Sequence, residues 1–445
     1  MLNNHFIQEK IILPLGDFVT GQTVAKSLKF LQRSKFWSRQ EIDDFQNDRL
    51  RKLIKHAYEN VPYYHDLFNS LGLKPQDIQS KADLHKIPIL TKAIIKKEGI
   101  DRFTAKNINP KDIIKGASSG STGEPLVYLR TKDAYSINIA ANLRGWYDMG
   151  YRMGDKYIKL SQNPRKNPIK RLQDWITRNK YLATNPLTDE NLKIILDKIE
   201  EYKPKVIRCY PDPFLFLARY KKQHPEYKHI PTALTTTGNT LHKETRQEIE
   251  DAFGCKIFDS YSCEGNACVF ECPTHTCYHS AEEYGISEIL NGNGELVING
   301  VGRLYSTDLW NFAHPFLRYD TQDNVEIDAT PCSCGRSHLK IIKILGRDND
   351  VIISPQGRKF IVHNFTGFFS QDTFNQNISI SQFQVICKKD KSILFKLVVN
   401  NLFSDEIKNN IISFWEKEFQ TKVKIEIVTE IPLHHNNKRK FIINE

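Results

Sequence analysis

Apolar side chains recur at helical spacing over residues 38–70. Leu50, Leu53, Ile54 and Ala57 fall at i, i+3, i+4 and i+7, and Pro62 ends the run. The same spacing predicts a short helix over 92–97 and a longer one over 133–148, with Ala134, Ile137, Ala140, Ala141 and Leu143 on its inner face. From about 189 to 330 the pattern switches repeatedly. Helices are predicted over 191–202, 214–220 and 242–253, and strands over 206–210, 233–237 and 256–260. This alternation predicts an α/β domain built on a largely parallel sheet. Ligands of such sheets lie beyond the carboxyl ends of the strands. Gly238-Asn239 and Tyr261-Ser262-Cys263-Glu264 fall there.

The character changes near the C-terminus. Strands over 382–387, 393–399 and 422–428, with a helix over 404–418, predict a small α+β domain. A polar break at Gly346-Arg347-Asp348-Asn349-Asp350 separates residues 1–345 from 346–445. The length of 445 residues fits two domains, because one hydrophobic core stops growing at roughly 250–300 residues.

Composition adds two constraints. The formal net charge of +11 favours anionic partners. The basic residues are dispersed and lack interleaved aromatics, so nucleic acid is not the expected partner. No apolar run approaches the roughly 20 residues that span a bilayer, and the N-terminus does not read as a secretory leader. These features point to the cytoplasm, where thiols stay reduced. Six of the nine cysteines fall between Cys263 and Cys334, which suggests metal binding rather than disulfides.

Ser118-Ser119-Gly120-Ser121-Thr122-Gly123-Glu124-Pro125 carries two glycines among four hydroxyl residues. Glycine lets backbone N–H groups approach a phosphate, and hydroxyls add donors. The segment lacks the Gly-Lys-Ser/Thr ending of a Walker loop, and alone it also reads as a plain surface loop.

The run Arg49-Leu50-Arg51-Lys52-Leu53-Ile54-Lys55-His56-Ala57-Tyr58-Glu59-Asn60-Val61-Pro62-Tyr63-Tyr64 resembles the N-terminal signature of phenylacetate–CoA ligase-like enzymes, and so does 84–92. This group includes proteins of capsular polysaccharide biosynthesis and belongs to the adenylate-forming superfamily. The superfamily's motifs follow in order: the 118–125 loop, Thr236-Thr237-Gly238-Asn239, Tyr261-Ser262-Cys263-Glu264, Arg318-Tyr319-Asp320-Thr321-Gln322-Asp323, Gly346-Arg347-Asp348-Asn349-Asp350 and Lys438. The resemblance implies a large N-terminal adenylate-forming domain and a small mobile α+β lid carrying the catalytic lysine.

It also implies roles. Ser118, Ser119, Gly120, Ser121, Thr122 and Gly123 would hold the β- and γ-phosphates of ATP. Gly238 and Asn239 would form the adenine turn, and Tyr261, followed by Ser262, would pack against the base. Glu264 would bind Mg²⁺, Asp323 and Arg347 would approach the ribose, and Lys438 would bridge the carboxylate and the α-phosphate. Lys440 competes for that last role. The sequence departs from the family pattern at three places: Asn437 and Gln322 stand where relatives carry glycine, and Asn239 where they often carry glutamate.

The implied reaction activates a carboxylic acid to an acyl-adenylate with pyrophosphate release. The acyl group then passes to coenzyme A, an amine or another nucleophile, in polysaccharide or secondary-metabolite biosynthesis. The expected oligomeric state is a monomer or homodimer. Some relatives carry a Cys/His zinc site formed between the stretches that correspond to 268–279 and 331–336. Matching their spacing favours Cys272, His279, Cys332 and Cys334 as ligands of a structural Zn²⁺, with Cys268, His275 and Cys277 as rivals. Two other readings compete: a catalytically degenerate relative, and a zinc-stapled basic binding protein.

Overall fold

The computed structural model describes residues 4–117, 126–161, 168–184, 188–263, 268–347, 351–356, 358–361, 365, 380–431 and 441–445. They divide into two compact units. One is drawn from Leu126–Leu241, Thr245–Leu345 and the chain before them, and the other is centred on Gly346–Glu445.

In the first unit, Ser38 starts the Arg39–Asn60 helix with a capping box. Its hydroxyl accepts from Glu41 N–H while Glu41 Oε2 accepts from Ser38 N–H at 2.7 Å. Val61 is extended (φ −108°, ψ 112°), as a residue before proline prefers. Pro62 therefore ends one helix and opens the next, Pro62–Ser70. Leu50, Leu53, Ile54 and Ala57 are buried together in one core cluster, as their spacing predicts.

The strands run β1 Ile113–Ala117, β2 Val127–Thr131, β3 Tyr157–Ser161, β4 Asn179–Ala183, β5 Val206–Cys209, β6 Ala233–Thr237, β7 Ile257–Ser262, β8 Cys268–Glu271, β9 Tyr278–Ser280, β10 Gly285–Leu290, β11 Gly300–Asp308, β12 Tyr319–Ile327 and β13 Lys340–Arg347. β1 and β2 form a separate antiparallel ribbon. The other eleven form one sheet, ordered β10-β11-β12-β13-β9-β8-β7-β6-β5-β3-β4. The strands predicted over 206–210, 233–237 and 256–260 are β5, β6 and β7, and they pair in parallel; β3 and β4, which the sequence pattern does not predict, extend the parallel block to β4-β3-β5-β6-β7. Beyond β7 the pairings of β8, β9 and β13 turn antiparallel, as do those within β10-β11-β12.

Both faces of the parallel block are covered, as parallel sheets require. Ile158, Ile207, Leu234 and Ile257 face Leu192, Ile195, Phe214 and Phe253 of the crossover helices. Their neighbours Tyr157, Val206 and Ala233 point the other way, toward Ile137, Ala140 and Ala141 of the Lys132–Asp148 helix. That helix lies so close to the sheet that a Cβ on Gly145 would sit 2.3 Å from the Phe270 ring.

In the second unit, β14 Val351–Ile353 pairs with β15 Lys359–Ile361. β16 Ile380–Cys387, β17 Ile393–Val399, β18 Val423–Ile427 and β19 Ile442–Asn444 make a mixed sheet in the order β18-β17-β16-β19. Ser404 caps the Asp405–Phe419 helix, whose Ile411, Trp415 and Phe419 bury against Phe395 and Leu397. The architecture is a large α/β unit followed by a small α+β one.

One buried charge anchors the first unit. The Glu283 side chain is fully buried and accepts from Arg144 Nη1 and Nη2 (2.6 and 3.2 Å) and from the Ser34 hydroxyl. His338 Nε2 stands 3.1 Å from it. Burial alone would push the Glu283 carboxyl up, but Arg144 and His338 hold it well below the usual carboxylate range. Glu283→Ala strands a buried guanidinium, so urea unfolding is expected to show a loss of about 3–5 kcal/mol. Because the folded carboxyl is depressed, its stabilisation is complete above the ordinary carboxylate range and is lost as pH falls through and below it. The pH dependence of wild-type stability there should flatten in the variant.

Candidate active site and metal centre

β5, β6 and β7 lie side by side and parallel, so their carboxyl ends open on one rim. Gly238 follows the end of β6, and its φ of +84° favours glycine. A Cβ there would also sit 2.5 Å from the Tyr210 ring, which follows β5. Asn239 Nδ2 donates to Asp212 Oδ2 at 3.2 Å, tying the turn to the start of the Pro211–Gln223 helix. Beneath the rim, Thr236 Oγ1 donates to Asp259 Oδ1 (2.6 Å) and Ser260 Oγ donates to the Thr236 carbonyl (2.8 Å).

Tyr261, near the end of β7, donates its hydroxyl to Asp323 Oδ2 on β12 at 2.6 Å. Burial, reinforced by the Asp323 charge, pushes the Tyr261 phenol well above its ordinary value, so it stays an O–H donor. Asp323 is itself buried. The preceding Gln322 has φ +65°, the left-handed conformation that a glycine would adopt without strain. Two local bonds hold it: Gln322 N–H donates to Asp320 Oδ1 (2.9 Å), and Arg303 clamps Asp320 from the other side (2.6 Å).

The fold thus gathers Gly238, Asn239, Tyr261, Ser262 and Asp323 from the predicted set: the first four lie on adjacent strand ends, and Asp323 is joined to Tyr261. Ser118, Ser119, Gly120, Ser121, Thr122, Gly123, Glu264 and Lys438 lie outside the described residues. Arg347 is the last residue of β13, and its side chain lies outside them too.

A second cluster sits on the antiparallel side of β7. The turn joining β8 to β9 is closed by Cys272 N–H donating to the Cys277 carbonyl (2.8 Å), with His275 at φ +55° inside it. The ligand atoms of Cys272, Cys277, His279 and Cys332 all lie within 4.8 Å of one another. Cys332 Sγ is 3.9 Å from Cys272 Sγ and 3.6 Å from Cys277 Sγ, and Cys277 Sγ is 3.8 Å from His279 Nε2. Tetrahedral zinc with bonds of about 2.0–2.3 Å sets neighbouring ligands about 3.5–3.8 Å apart, so the set fits that ion.

His279 Nδ1 faces the His338 carbonyl at 3.4 Å, which leaves Nε2 turned to the thiols. Burial, then the Arg336 charge, push His279 down to about 4, so the ring is in the neutral form that binds metals. Cys277, a rival in the sequence reading, completes this set because the hairpin turn sets it opposite Cys272. Cys334 stands beside it, 3.2 Å from His279 Nε2. Cys268 is buried in β8, and His275 instead faces Glu271 at 3.1 Å.

The sequence reading missed the link between the two clusters. Glu271, next to Cys272, accepts from Asp259 N–H (2.7 Å) and from Arg246 (2.8 Å). Tyr278, between Cys277 and His279, donates to Asp259 Oδ2 (3.1 Å). Buried Asp259 is pushed up to about 6, burial outweighing its hydrogen bond from Thr236. The one available signal was an acid within each strand, Asp259 after Ile257-Phe258 and Glu271 after Val269-Phe270.

No model of a protein family matches the chain. Individual proteins do. The phenylacetate–coenzyme A ligase of Escherichia coli is 35% identical over 328 residues, covering 70% of this chain and 72% of that protein. Protein CapK of Staphylococcus aureus is 26% identical over 433 residues, 91% of this chain and 89% of that one. Among solved structures, 2-hydroxyisobutyryl-CoA ligase in the postadenylation state, in complex with R3-HIB-AMP, superposes with a TM-score of 0.73 over 93% of this chain and 92% of that one, at 15% identity. The chain belongs to the phenylacetate–CoA ligase-like family of adenylate-forming enzymes, and it is an adenylate-forming ligase.

The left-handed Gln322 yields a prediction. Gln322→Gly is expected to match or exceed wild-type stability by up to about 1 kcal/mol in urea unfolding, while a β-branched Gln322→Ile loses stability. A clear loss in the glycine variant would contradict the strain reading.

Proposed function

We propose that the chain couples a carboxylic acid to ATP through the residues that the family resemblance implies, and hands the acyl group to coenzyme A. A carboxylate oxygen attacks the α-phosphorus, the bond to the bridging oxygen of the β-phosphate breaks, and pyrophosphate leaves. A thiol then attacks the acyl carbon and AMP departs with the electron pair of the C–O bond. The observation that carries the reading is the Tyr261–Asp323 hydrogen bond beside the Gly238 turn. It supports an adenine-packing ring and a ribose-accepting carboxylate held in mutual register. In this reading Ser118 to Gly123 grip the triphosphate, Glu264 holds Mg²⁺, Arg347 approaches the ribose, and Lys438 offsets charge on the pentavalent phosphorus. A hard cation suits the Glu264 carboxylate.

The acceptor in this reading is coenzyme A because four relatives, among them the Thermus thermophilus and Pseudomonas putida proteins, are named as coenzyme A ligases. An amine acceptor, in polysaccharide or secondary-metabolite synthesis, is the second reading. It is prompted by the match to CapK, which runs over 91% of the chain against 69–71% for the coenzyme A ligases.

Incubating the protein with ATP, Mg²⁺ and a panel of aryl, fatty and amino acids, with and without coenzyme A, is expected to release pyrophosphate with at least one class. AMP should then turn over only when the thiol is present. Lys438→Ala should lower the rate by about 10²-fold or more. Unchanged release in that variant removes Lys438 from the site, and no release with any acid contradicts the proposal.

The Cys/His cluster is proposed to hold one structural Zn²⁺ through Cys272, Cys277, His279 and Cys332, pinning the hairpin after Glu264 to the sheet. The ion would contribute no chemical step. Metal analysis should find about one equivalent of zinc. Cys277→Ser and Cys332→Ser should lose it, and Cys334→Ser should keep it. Loss in Cys334→Ser with retention in Cys277→Ser would restore the set expected from spacing.

A further inference from the structure

The first helical stretch of the chain exposes its apolar side. Leu15, Phe18 and Val19 fall at i, i+3 and i+4 of the Leu13–Thr20 helix, and all three face solvent. Phe18 is 86% exposed and Val19 is 75% exposed. The Pro168–Ile176 helix repeats the pattern at Leu172, Trp175 and Ile176, with Trp175 77% exposed. Gln8 Nε2 donates to the Ile176 carbonyl at 2.8 Å, so the N-terminal stretch is attached to the end of that helix. A stripe of this spacing normally faces a core. Two such stripes turned outward on attached segments mark a surface that binds something.

The charges around these stripes are sorted by sign. The acids point inward or are engaged: Glu9 accepts from the Tyr147 hydroxyl, Asp17 accepts from Ala25 N–H at 2.7 Å, and Asp174 is buried. The cations Lys10, Lys170 and Arg171 are exposed. The next helix, Val24–Arg33, buries Val24, Leu28 and Leu31 and shows Lys26, Lys29 and Arg33 to solvent at i, i+3 and i+7. Apolar stripes with an exposed tryptophan and phenylalanine, edged by lysine and arginine, are the pattern of helices that lie in a membrane interface. The chain's net charge of +11 has the same sign as this rim. A symmetric pairing of two copies through the same face would set like charges against each other.

We propose that this face docks the protein on the surface of an anionic lipid bilayer, with Phe18, Leu15, Trp175 and Leu172 entering the headgroup region and the lysines and arginines meeting lipid phosphates. Docking is peripheral: among the described residues no helix is long and apolar enough to cross a membrane.

The test is co-sedimentation of the full chain with sucrose-loaded vesicles. One set is pure phosphatidylcholine and the other is phosphatidylcholine with phosphatidylglycerol at about 7:3. The protein is expected to pellet with the anionic set at least ~10-fold better, and added salt should weaken the binding. Phe18→Ser with Trp175→Ser alters two side chains that already face water, so the thermal midpoint should hold while the bound fraction drops at least ~5-fold. Lys170→Glu with Arg171→Glu should drop it as well. Three results would each overturn the proposal. One is equal pelleting with both vesicle sets or with neither. Another is binding that survives the apolar double variant. The third is light scattering that shows a dimer which the same double variant dissociates, because that assigns the face to a second copy of the chain.

Discussion

A single buried carboxylate, Glu271, sets the position of the strand on which the nucleotide reading rests. It accepts from the main chain of Asp259 on β7 and from Arg246 on the helix behind it. Asp259 in turn receives Tyr278 and Thr236. Glu271 and Tyr278 are sequence neighbours of Cys272 and of Cys277 and His279. The hairpin that gathers the thiols is therefore built from the same residues that fix β7. Removing one member would leave a buried charge or donor unpaired, a defect that typically costs about 3–5 kcal/mol for an ion pair. Tyr261 lies two residues along the strand from Asp259, so a shift of β7 would move its hydroxyl away from Asp323.

A zinc ion holding Cys272, Cys277, His279 and Cys332 would fix the ends of the β8–β9 turn and the 332 loop together. The polar cluster would carry that rigidity to the strand end. Buried polar groups of this kind are stable only when satisfied, and the members Glu271, Asp259, Tyr278 and Thr236 each have partners. The Arg144–Glu283–His338 group does the same for the other side of the hairpin, since His338 also faces His279 through its carbonyl.

The parts of the fold legible in the sequence were those governed by local periodicity. The i, i+3, i+4 stripe at Leu50 to Ala57 marks the core helix, and the alternation predicted from 189 to 330 marks β5, β6 and β7; β3 and β4 lie outside it, and beyond β7 the pairings are antiparallel. The sequence pattern marks Pro62 only as a stop, although it also opens a helix, because its fixed φ serves either end. The antiparallel half of the sheet was not legible. Its strands pair across breaks that no short-range pattern encodes, and β13 meets β9 about sixty residues away. The same limit hid the ion pairs: Arg144 and Glu283 are 139 residues apart. In the site, it is the family resemblance, and not any local periodicity, that implies Gly238, Tyr261 and Asp323 act together; the Tyr261–Asp323 hydrogen bond joins two of them. Spacing alone leaves Cys277 a rival to the expected set beside Cys268 and His275, because only the hairpin turn sets Cys277 opposite Cys272.

Family membership, the two-unit architecture and the Tyr261–Asp323 contact converge on one claim, that an acid is activated as its adenylate. Oxygen transfer tests it most directly. An acid that supports pyrophosphate release is supplied with ¹⁸O in its carboxylate, and the products are read by mass spectrometry. Attack of the carboxylate on the α-phosphorus predicts one labelled oxygen in the AMP released after acyl transfer and none in pyrophosphate. Label appearing in inorganic phosphate, with ADP as the nucleotide product, would mean attack at the γ-phosphorus and would contradict the account.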